Sequence, residues 1–228
     1  MKTIYVVESL SSKGGAENAL LNIVLEMKKL GHESIIIYLW GPNDFEEKLN
    51  SARVQTYCLG MESRWRVLKG VVRISRILSS KEIILISAIN FFPMFYVALS
   101  KIFVRGKKRI VTYHNMGYEV YPAKNILKLF RKLIDIILNR YCFEGHLGVS
   151  RAISKTYMRH LHIKKIHTIE NIIPVDTINK MLAYKPTIHE INKPYRIVMA
   201  GRLVPEKGYH YMIQAMEILK NEGVKFHL

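Results

Sequence analysis

The chain has 228 residues, 49% of them hydrophobic, enough for one large or two small globular cores. Its 35 basic and 18 acidic residues give a net charge of +17, which attracts phosphates, anionic lipid or nucleic acid without choosing among them. Cys58 and Cys142 lie far apart with no CxxC and no histidine cluster, which excludes a disulfide framework and a zinc site and fits a reducing cytosol. The apolar run before Glu8 is too short for a signal-peptide core, so no export is expected.

In chain order, Lys2 to Val7 reads as a strand. The Ser/Gly-rich loop Glu8 to Gly15 opens a helix whose Ala16, Leu20, Ile23, Met27 and Leu30 form one apolar face, and Gly31 stops it. Strands follow at Ser34 to Leu39 and Val54 to Leu59, then a helix from about Arg64. Ile83 to Ser100 carries no charge and reaches the minimum length of a membrane span. Asn90 and Pro93 interrupt it, so a strand at Ile83 to Ile86, a turn and a helix begun near Pro93 account for it without lipid. A strand at Arg109 to Tyr113, a helix from about Ala123 to Tyr141, a strand at His146 to Val149, a helix from Ala152 and a strand at Ile166 to Ile169 complete the series. Such alternation predicts right-handed βαβ units, an α/β class with a doubly wound parallel sheet, and ligands beyond the strand C-termini.

From Asn171 to Pro194 the periodicity loosens into a connector with one short helix around Asp176 to Leu182. A second unit begins with a buried strand, Tyr195 to Met199, and continues with a helix, Tyr209 to Glu222, whose Met212, Ala215, Met216 and Leu219 share a face. Val224 to Leu228 reads as its second strand. A piece of this size falls below the roughly 40 residues that bury a core unaided, so the chain is expected to be a fragment or truncated product.

Four segments at strand ends carry candidate chemistry. Gly201 to Gly208 joins strand to helix and sets the Arg202 fork and the Lys207 charge near free backbone N–H groups, which suits a diphosphate; read alone it is equally a turn with two solvated cations. Ser12-Lys13-Gly14-Gly15-Ala16-Glu17 lets backbone approach an anion or a sugar hydroxyl, and is also what an ordinary glycine turn looks like. It is neither a Walker loop nor a GxGxxG fingerprint. His114 ends a strand, where α/β sheets place functional side chains, although a lone histidine is more often a satisfied one. Glu170-Asn171-Ile172-Ile173-Pro174 opens the connector.

Basic residues form helical stripes at Arg66, Lys69, Arg73 and Arg76, with Val67, Val71, Ile74 and Leu78 opposite, and at Lys124, Lys128, Arg131 and Lys132. Arg105, Lys107, Lys108 and Arg109 cluster before a strand. These are solvated faces or a contact for an anionic membrane. The three aspartates, Asp44, Asp135 and Asp176, include no Asp-x-Asp pair, so no metal clamp is expected. Without aromatic platforms or a recognisable motif, no nucleic-acid partner is expected either.

Gly201-Arg202-Leu203-Val204-Pro205-Glu206-Lys207-Gly208 resembles the donor-phosphate loop of family 4 glycosyltransferases of the GT-B fold, and Gly14-Gly15-Ala16-Glu17 is similar to that family's glycine loop. Val149 to Ser154 and Glu170 to Pro174 look like its turn near the cleft floor and its hinge entry, with Ile172 standing where the family usually has glycine after asparagine. The resemblance runs through nearly all the chain. It implies a complete N-terminal Rossmann-like acceptor-side domain over residues 1–175, a connector over 176–193 and an incomplete nucleotide-sugar-binding domain over 194–228. It also implies retaining, hexosyltransferase-like transfer of a sugar from a nucleotide-sugar to an acceptor hydroxyl, in cell-surface polysaccharide or glycolipid synthesis. Arg202 and Lys207 would then hold the pyrophosphate facing Gly14 and Gly15, His114 would touch the sugar or the acceptor, and Asn171 would complete the substrate-binding set. The nucleotide-sugar is a co-substrate, with no cofactor or metal; the acceptor is saccharide or lipid-linked, met in the cytoplasm or at the inner membrane face through the basic helices. The family's paired glutamates would lie beyond Leu228, so weak donor binding and poor turnover are expected. The alternative is a truncated, inactive remnant that docks on a membrane or a partner.

Overall fold

The computed structural model describes residues 2–61, 67–79, 82–115, 117, 126–182, 195–201 and 203–227. The chain divides into two compact units, Met1–Ile173 and Pro174–Leu228. In the first, strands β1 (Lys2–Val7), β2 (Glu33–Tyr38), β3 (Gln55–Cys58), β4 (Ile83–Ile89), β5 (Lys108–Tyr113), β6 (Gly145–Gly148) and β7 (His167–Thr168) form one sheet. Its order is β3-β2-β1-β4-β5-β6-β7, every neighbouring pair is parallel, and the winding direction reverses between β1 and β4. β1, β2, β4 and β5 were legible because parallel strands inside a covered sheet read as apolar runs, whereas β3 and β7 at the two edges are largely exposed.

Helices α1 (Gly15–Lys29) and α2 (Glu46–Ser51) cover one face. There Leu20, Leu21 and Val24 meet Val7, Ile36, Phe45, Leu49 and Ile89. Helices α3 (Val67–Leu78), α4 (Phe91–Ser100), α5 (Ile126–Cys142) and α6 (Arg151–Leu161) pack in sequence, each against the next. Their core includes Val71, Ile74, Leu78, Met94, Val97, Val111 and Leu161. Gly70 brings α3 close to α4: a Cβ there would stand 2.7 Å from the Tyr96 ring.

Several expectations change. The apolar stretch Ile83 to Ser100 splits at Asn90 into β4 and α4, with the strand three residues longer and the helix two residues earlier than the sequence suggests. Among the described residues no helix is long and apolar enough to cross a membrane. The buried stripe of α1 runs through Ala19, Leu20, Leu21 and Val24, while Leu30, expected on the apolar face, lies past the last helical turn and is 72% exposed. The short helix α2 has no counterpart in the sequence reading, because six residues with one buried apolar position, Leu49, present no period.

The basic segments behave differently from one another. Lys69, Arg73 and Arg76 are exposed opposite the buried Val71, Ile74 and Leu78, as the period of α3 predicts, while Arg66 lies outside the described residues. Arg109, grouped above with surface cations, is buried at 1% exposure, and its guanidinium donates to the carbonyls of Lys107 and Val104. Burial pushes its pKa down, opposed by Glu144, which accepts the Arg109 backbone N–H at 2.7 Å. Arg131 lies over the Phe91 ring, 3.9 Å from its centroid, a cation–π contact rather than a solvated end of a stripe. Lys124 lies outside the described residues.

The second unit holds helix α7 (Val175–Leu182), strands β8 (Tyr195–Arg196) and β9 (Phe226–His227), which pair in parallel, and helix α8 (Tyr209–Asn221). Tyr195 to Met199 was expected to be a buried strand. Only two of its residues are in the strand, Tyr195 is exposed and Val198 is 86% exposed, because β9 is its single neighbour in a two-stranded sheet. Met212, Met216 and Leu219 of α8 are half-buried and Ala215 is exposed.

Candidate active site

In an open α/β sheet the crevice lies beyond the strand C-termini where the winding reverses. Here that point falls between β1 and β4. Beyond β1 comes the Glu8–Gly15 loop, beyond β4 comes Asn90, and beyond the adjacent β5 comes His114. Gly14, Gly15 and His114 therefore end at one edge of one sheet, which separate motifs in the sequence could not establish.

The glycine loop is held from two sides. The Asp44 carboxylate accepts the Ser12 N–H at 2.8 Å and the Ser12 hydroxyl at 2.9 Å, and these bonds keep its pKa below the ordinary carboxylate value. Asn18 donates from its amide to the carbonyls of Ser12 and Gly14 at 2.7 and 2.8 Å. Glu17 folds back over Gly14, so that a Cβ there would meet Oε2 at 1.9 Å, and its carboxylate accepts the Ser9 hydroxyl at 3.1 Å. Gly14 thus makes room for a carboxylate of its own chain, whereas the site of a Cβ on Gly15 has nothing within 4 Å.

Asn90 is the residue that the sequence missed. Its φ of 65° and ψ of −171° lie in a region that is nearly glycine-only and costs on the order of 1–3 kcal/mol. Three hydrogen bonds fix it: its N–H donates to Thr112 O at 3.0 Å, its carbonyl accepts Met94 N–H at 3.2 Å, and its side-chain oxygen accepts His114 N–H at 3.1 Å. The available signal was a lone asparagine closing an apolar strand before Phe-Phe-Pro, which the sequence reading used only as an interruption.

Burial pushes the pKa of half-buried His114 down to about 4, so the imidazole is neutral at ordinary pH and offers a hydrogen bond rather than a charge. Buried His146 is pushed down to about 4 for the same reason. Both stay neutral in the fold while an unfolded histidine protonates near 6.5, so the unfolded chain binds more protons between those values. Stability is expected to be full above 6.5 and to fall as pH drops toward 4, and urea unfolding followed across that window measures the slope. Ring protons of His114 and His146 titrating near 6.5 in the folded chain would contradict the assignment.

Beneath this edge runs a buried polar network. The Tyr113 hydroxyl donates to Asn139 Oδ1 at 2.6 Å and lies 3.1 Å from His146 Nδ1. Asn139 donates to Asp135 Oδ1 at 2.6 Å. The Tyr157 ring stacks on Tyr113 with centroids 3.9 Å apart, and its phenol, pushed up by burial and then by Asp135, donates to Asn115 Oδ1 at 3.5 Å. Positions 113 to 115 are thereby anchored to α5 and α6. In the Val149–Ser154 turn, Ser150 caps α6 by accepting Ile153 N–H at 3.2 Å, and Gly148 admits Ser154, whose Oγ would lie 2.4 Å from a Cβ.

Asn171 is exposed beyond β7, in a segment tied to α1 by the Asn22 amide donating to Ile172 O at 3.2 Å. In the second unit, Pro205–Lys207 forms a 3-10 turn that ends at Gly208, φ 70°. The Lys207 stem lies against Gly201, and the Tyr209 hydroxyl donates to Gly201 O at 2.8 Å. Arg202 lies outside the described residues. No group of three or more His, Cys, Asp or Glu among the described residues is placed to hold a metal ion.

Comparison with known proteins gives one family and one fold. The model of Glycosyltransferase Family 4 matches residues 13–177. HepE from Anabaena, solved with UDP and glucose, superposes with a TM-score of 0.64 at 17% identity, over 95% of this chain and 57% of its own. A glycosyltransferase from Rickettsia africae gives 0.63 at 19% identity, over 96% and 57%. The lipopolysaccharide outer core galactosyltransferase WaaB in apo form gives 0.60 at 16%, over 90% and 53%. The chain thus spans little more than half the length of these structures, whose Rossmann-like GT-B architecture it shares. No curated protein sequence matches it. Because the family model begins at the glycine loop and runs through β2 to β7 as far as α7, well over half of the chain, the chain belongs to glycosyltransferase family 4.

Proposed function

We propose that the protein transfers a sugar from a nucleotide-sugar to an acceptor hydroxyl, with retention at the anomeric carbon. The observation that carries this reading is the meeting of the glycine loop, strained Asn90 and neutral His114 at the reversal of the sheet in a family 4 chain. In the reaction the bond from the anomeric carbon to the diphosphate breaks, a bond to the acceptor oxygen forms, and the acceptor proton leaves with the diphosphate. Charge grows on the departing diphosphate, and fixed donors aimed at growing charge are usually the largest catalytic term. That task is assigned to Arg202, Lys207 and the Gly15 amide at the head of α1.

Glu17 shapes the rest of the assignment. A carboxylate folded on Gly14 repels phosphate and accepts a hydroxyl, so the Gly14 side of the loop suits a sugar or acceptor hydroxyl. His114, neutral and held through its backbone by Asn90, supplies a second hydrogen bond to that sugar. Asn171 is assigned to substrate binding at the connector. No step in this scheme runs through a metal. The UDP and glucose bound to HepE make UDP-glucose the first donor to try, and a saccharide or lipid-linked acceptor in cell-surface polysaccharide or glycolipid synthesis fits the reading.

Titration of the isotope-labelled chain with UDP-glucose, followed by amide and histidine-ring resonances, tests the proposal. Gly15, His114 and Lys207 are expected to shift together as donor is added. If a panel of nucleotide-sugars moved none of the three, the proposal would be wrong.

A further inference from the structure

Helix α5 carries more apolar surface than covering a sheet requires: Ile136, Leu138 and Cys142 pack against the core, and a second apolar face is left outside. Its inward side carries the polar pair Asp135 and Asn139, which are buried at 7% and 0% exposure. Its outward side carries Ile126, Leu129, Phe130, Leu133, Ile137 and Tyr141, each between 46% and 77% exposed. At 100° per residue these six fall within an arc of roughly 120°, an apolar stripe that Arg140 alone interrupts among the described side chains. The helix has 17 residues, so the stripe is about 25 Å long. Scattered exposed apolar side chains are ordinary; a continuous stripe marks a contact surface.

At the C-terminal end of the stripe the surface continues onto the end of α4. Lys101 donates to Tyr141 O and to Glu144 at 3.1 Å each, which ties the two helix ends together. The next two residues, Ile102 and Phe103, are 69% and 62% exposed. Beside them Lys101, Arg105, Lys107, Lys108 and Arg109, with Glu144, line a cavity of about 250 Å³. Arg109 is buried, and its Nε is among the few buried side-chain atoms with no hydrogen-bond partner among the described residues. Arg140 lies within the stripe, its guanidinium 6.0 Å from the Tyr141 ring, a pair with apolar bodies and polar tips.

We propose that this face, the outer stripe of α5 with Ile102, Phe103 and the adjoining basic cavity, docks on an anionic lipid bilayer. Charge decides the occupant. A second copy of a chain with net charge +17 would set one basic rim against another, whereas anionic lipid satisfies the cations while the interface takes up the apolar stripe. The contact therefore lies on α5 and the α4 end, not on the basic stripe of α3 to which the sequence also pointed. It stands independently of the sugar-transfer reading, because no residue of the candidate active site belongs to it.

Vesicle sedimentation of the full chain tests the inference. Binding is expected to vesicles of phosphatidylcholine and phosphatidylglycerol in equal parts, and to be far weaker with phosphatidylcholine alone. The pair Phe130→Ser and Ile137→Ser, both at exposed positions, is expected to lower partitioning at least about tenfold with an unchanged circular dichroism spectrum. Arg105→Gln and Lys108→Gln are expected to cost about fivefold each, while Lys69→Gln and Arg76→Gln on α3 leave binding nearly unchanged. The inference fails if the chain ignores anionic vesicles, or if the α3 pair costs as much as the cavity pair. It fails equally if Phe130→Ser with Ile137→Ser turns a lipid-free dimer into a monomer in the ultracentrifuge, which would make a second copy the occupant.

Discussion

Replacing Lys207 by methionine is expected to lower turnover of a nucleotide-sugar by roughly 10²-fold relative to the unsubstituted chain, mostly in kcat, because one donor to growing charge is usually worth that much. Methionine keeps the apolar stem that packs on Gly201 and removes only the ammonium group. The turn that carries it does not depend on the side chain: the Lys207 N–H donates to Val204 O at 3.0 Å, Gly208 takes the positive φ, and Tyr209 holds Gly201. A fall in activity therefore reports charge, not collapse of the loop. Release of the nucleoside diphosphate, measured for both chains over a range of donor concentrations, separates kcat from KM. Equal turnover would remove Lys207 from the diphosphate site.

The second large effect is expected at Asn139, which touches no substrate in this reading. Leucine is close in size and cannot form the bonds from Asn139 to Asp135 Oδ1, Asp135 O and the Tyr113 hydroxyl, at 2.6, 2.8 and 2.6 Å. At about 1 kcal/mol for each neutral bond and more for the carboxylate, Asn139→Leu should cost about 3–4 kcal/mol. A domain of this size then melts roughly 10 °C lower. Tyr113→Phe, which removes only the hydroxyl, should cost about a third as much. Because Tyr113 precedes His114, the leucine variant should also broaden or shift the His114 ring resonances in the folded protein. Calorimetry and those resonances together distinguish a network that positions the site from one that only stabilises the core.

What the sequence disclosed follows from the kind of order it encodes. β1, β2, β4 and β5 were readable because strands inside a parallel sheet are runs of Ile, Val and Leu, and with the strands the positions of the glycine loop and His114 beyond their ends were readable too. Asn90 was not, since a residue in a glycine-only conformation is recognisable only by its dihedral angles and by the neighbours that enforce them. Nor was the orientation of α5. Its apolar period is strong, and the default assigns such a stripe to the core, yet Asn139, bonded to the Tyr113 hydroxyl, and its partner Asp135 take places on the buried side beside Ile136 and Leu138, and the stripe through Leu133 and Ile137 faces out. Arg109 misled for a related reason: a cation between Lys108 and Ile110 looks like surface, and only its bonds to the Lys107 and Val104 carbonyls show that it is not.

The placement of β1 at the centre of the sheet sets a timetable for biosynthesis. Lys2 pairs with Glu33 on one side and with Ile83 on the other, so β1 cannot gain its second neighbour until a further stretch of roughly 80 residues has left the ribosome. At the usual 5–20 residues per second the nascent chain spends on the order of 4–16 s with an apolar strand edge open. During that interval Val6 and Ile4 are within reach of chaperones and of other nascent chains, and slower translation lengthens that exposure.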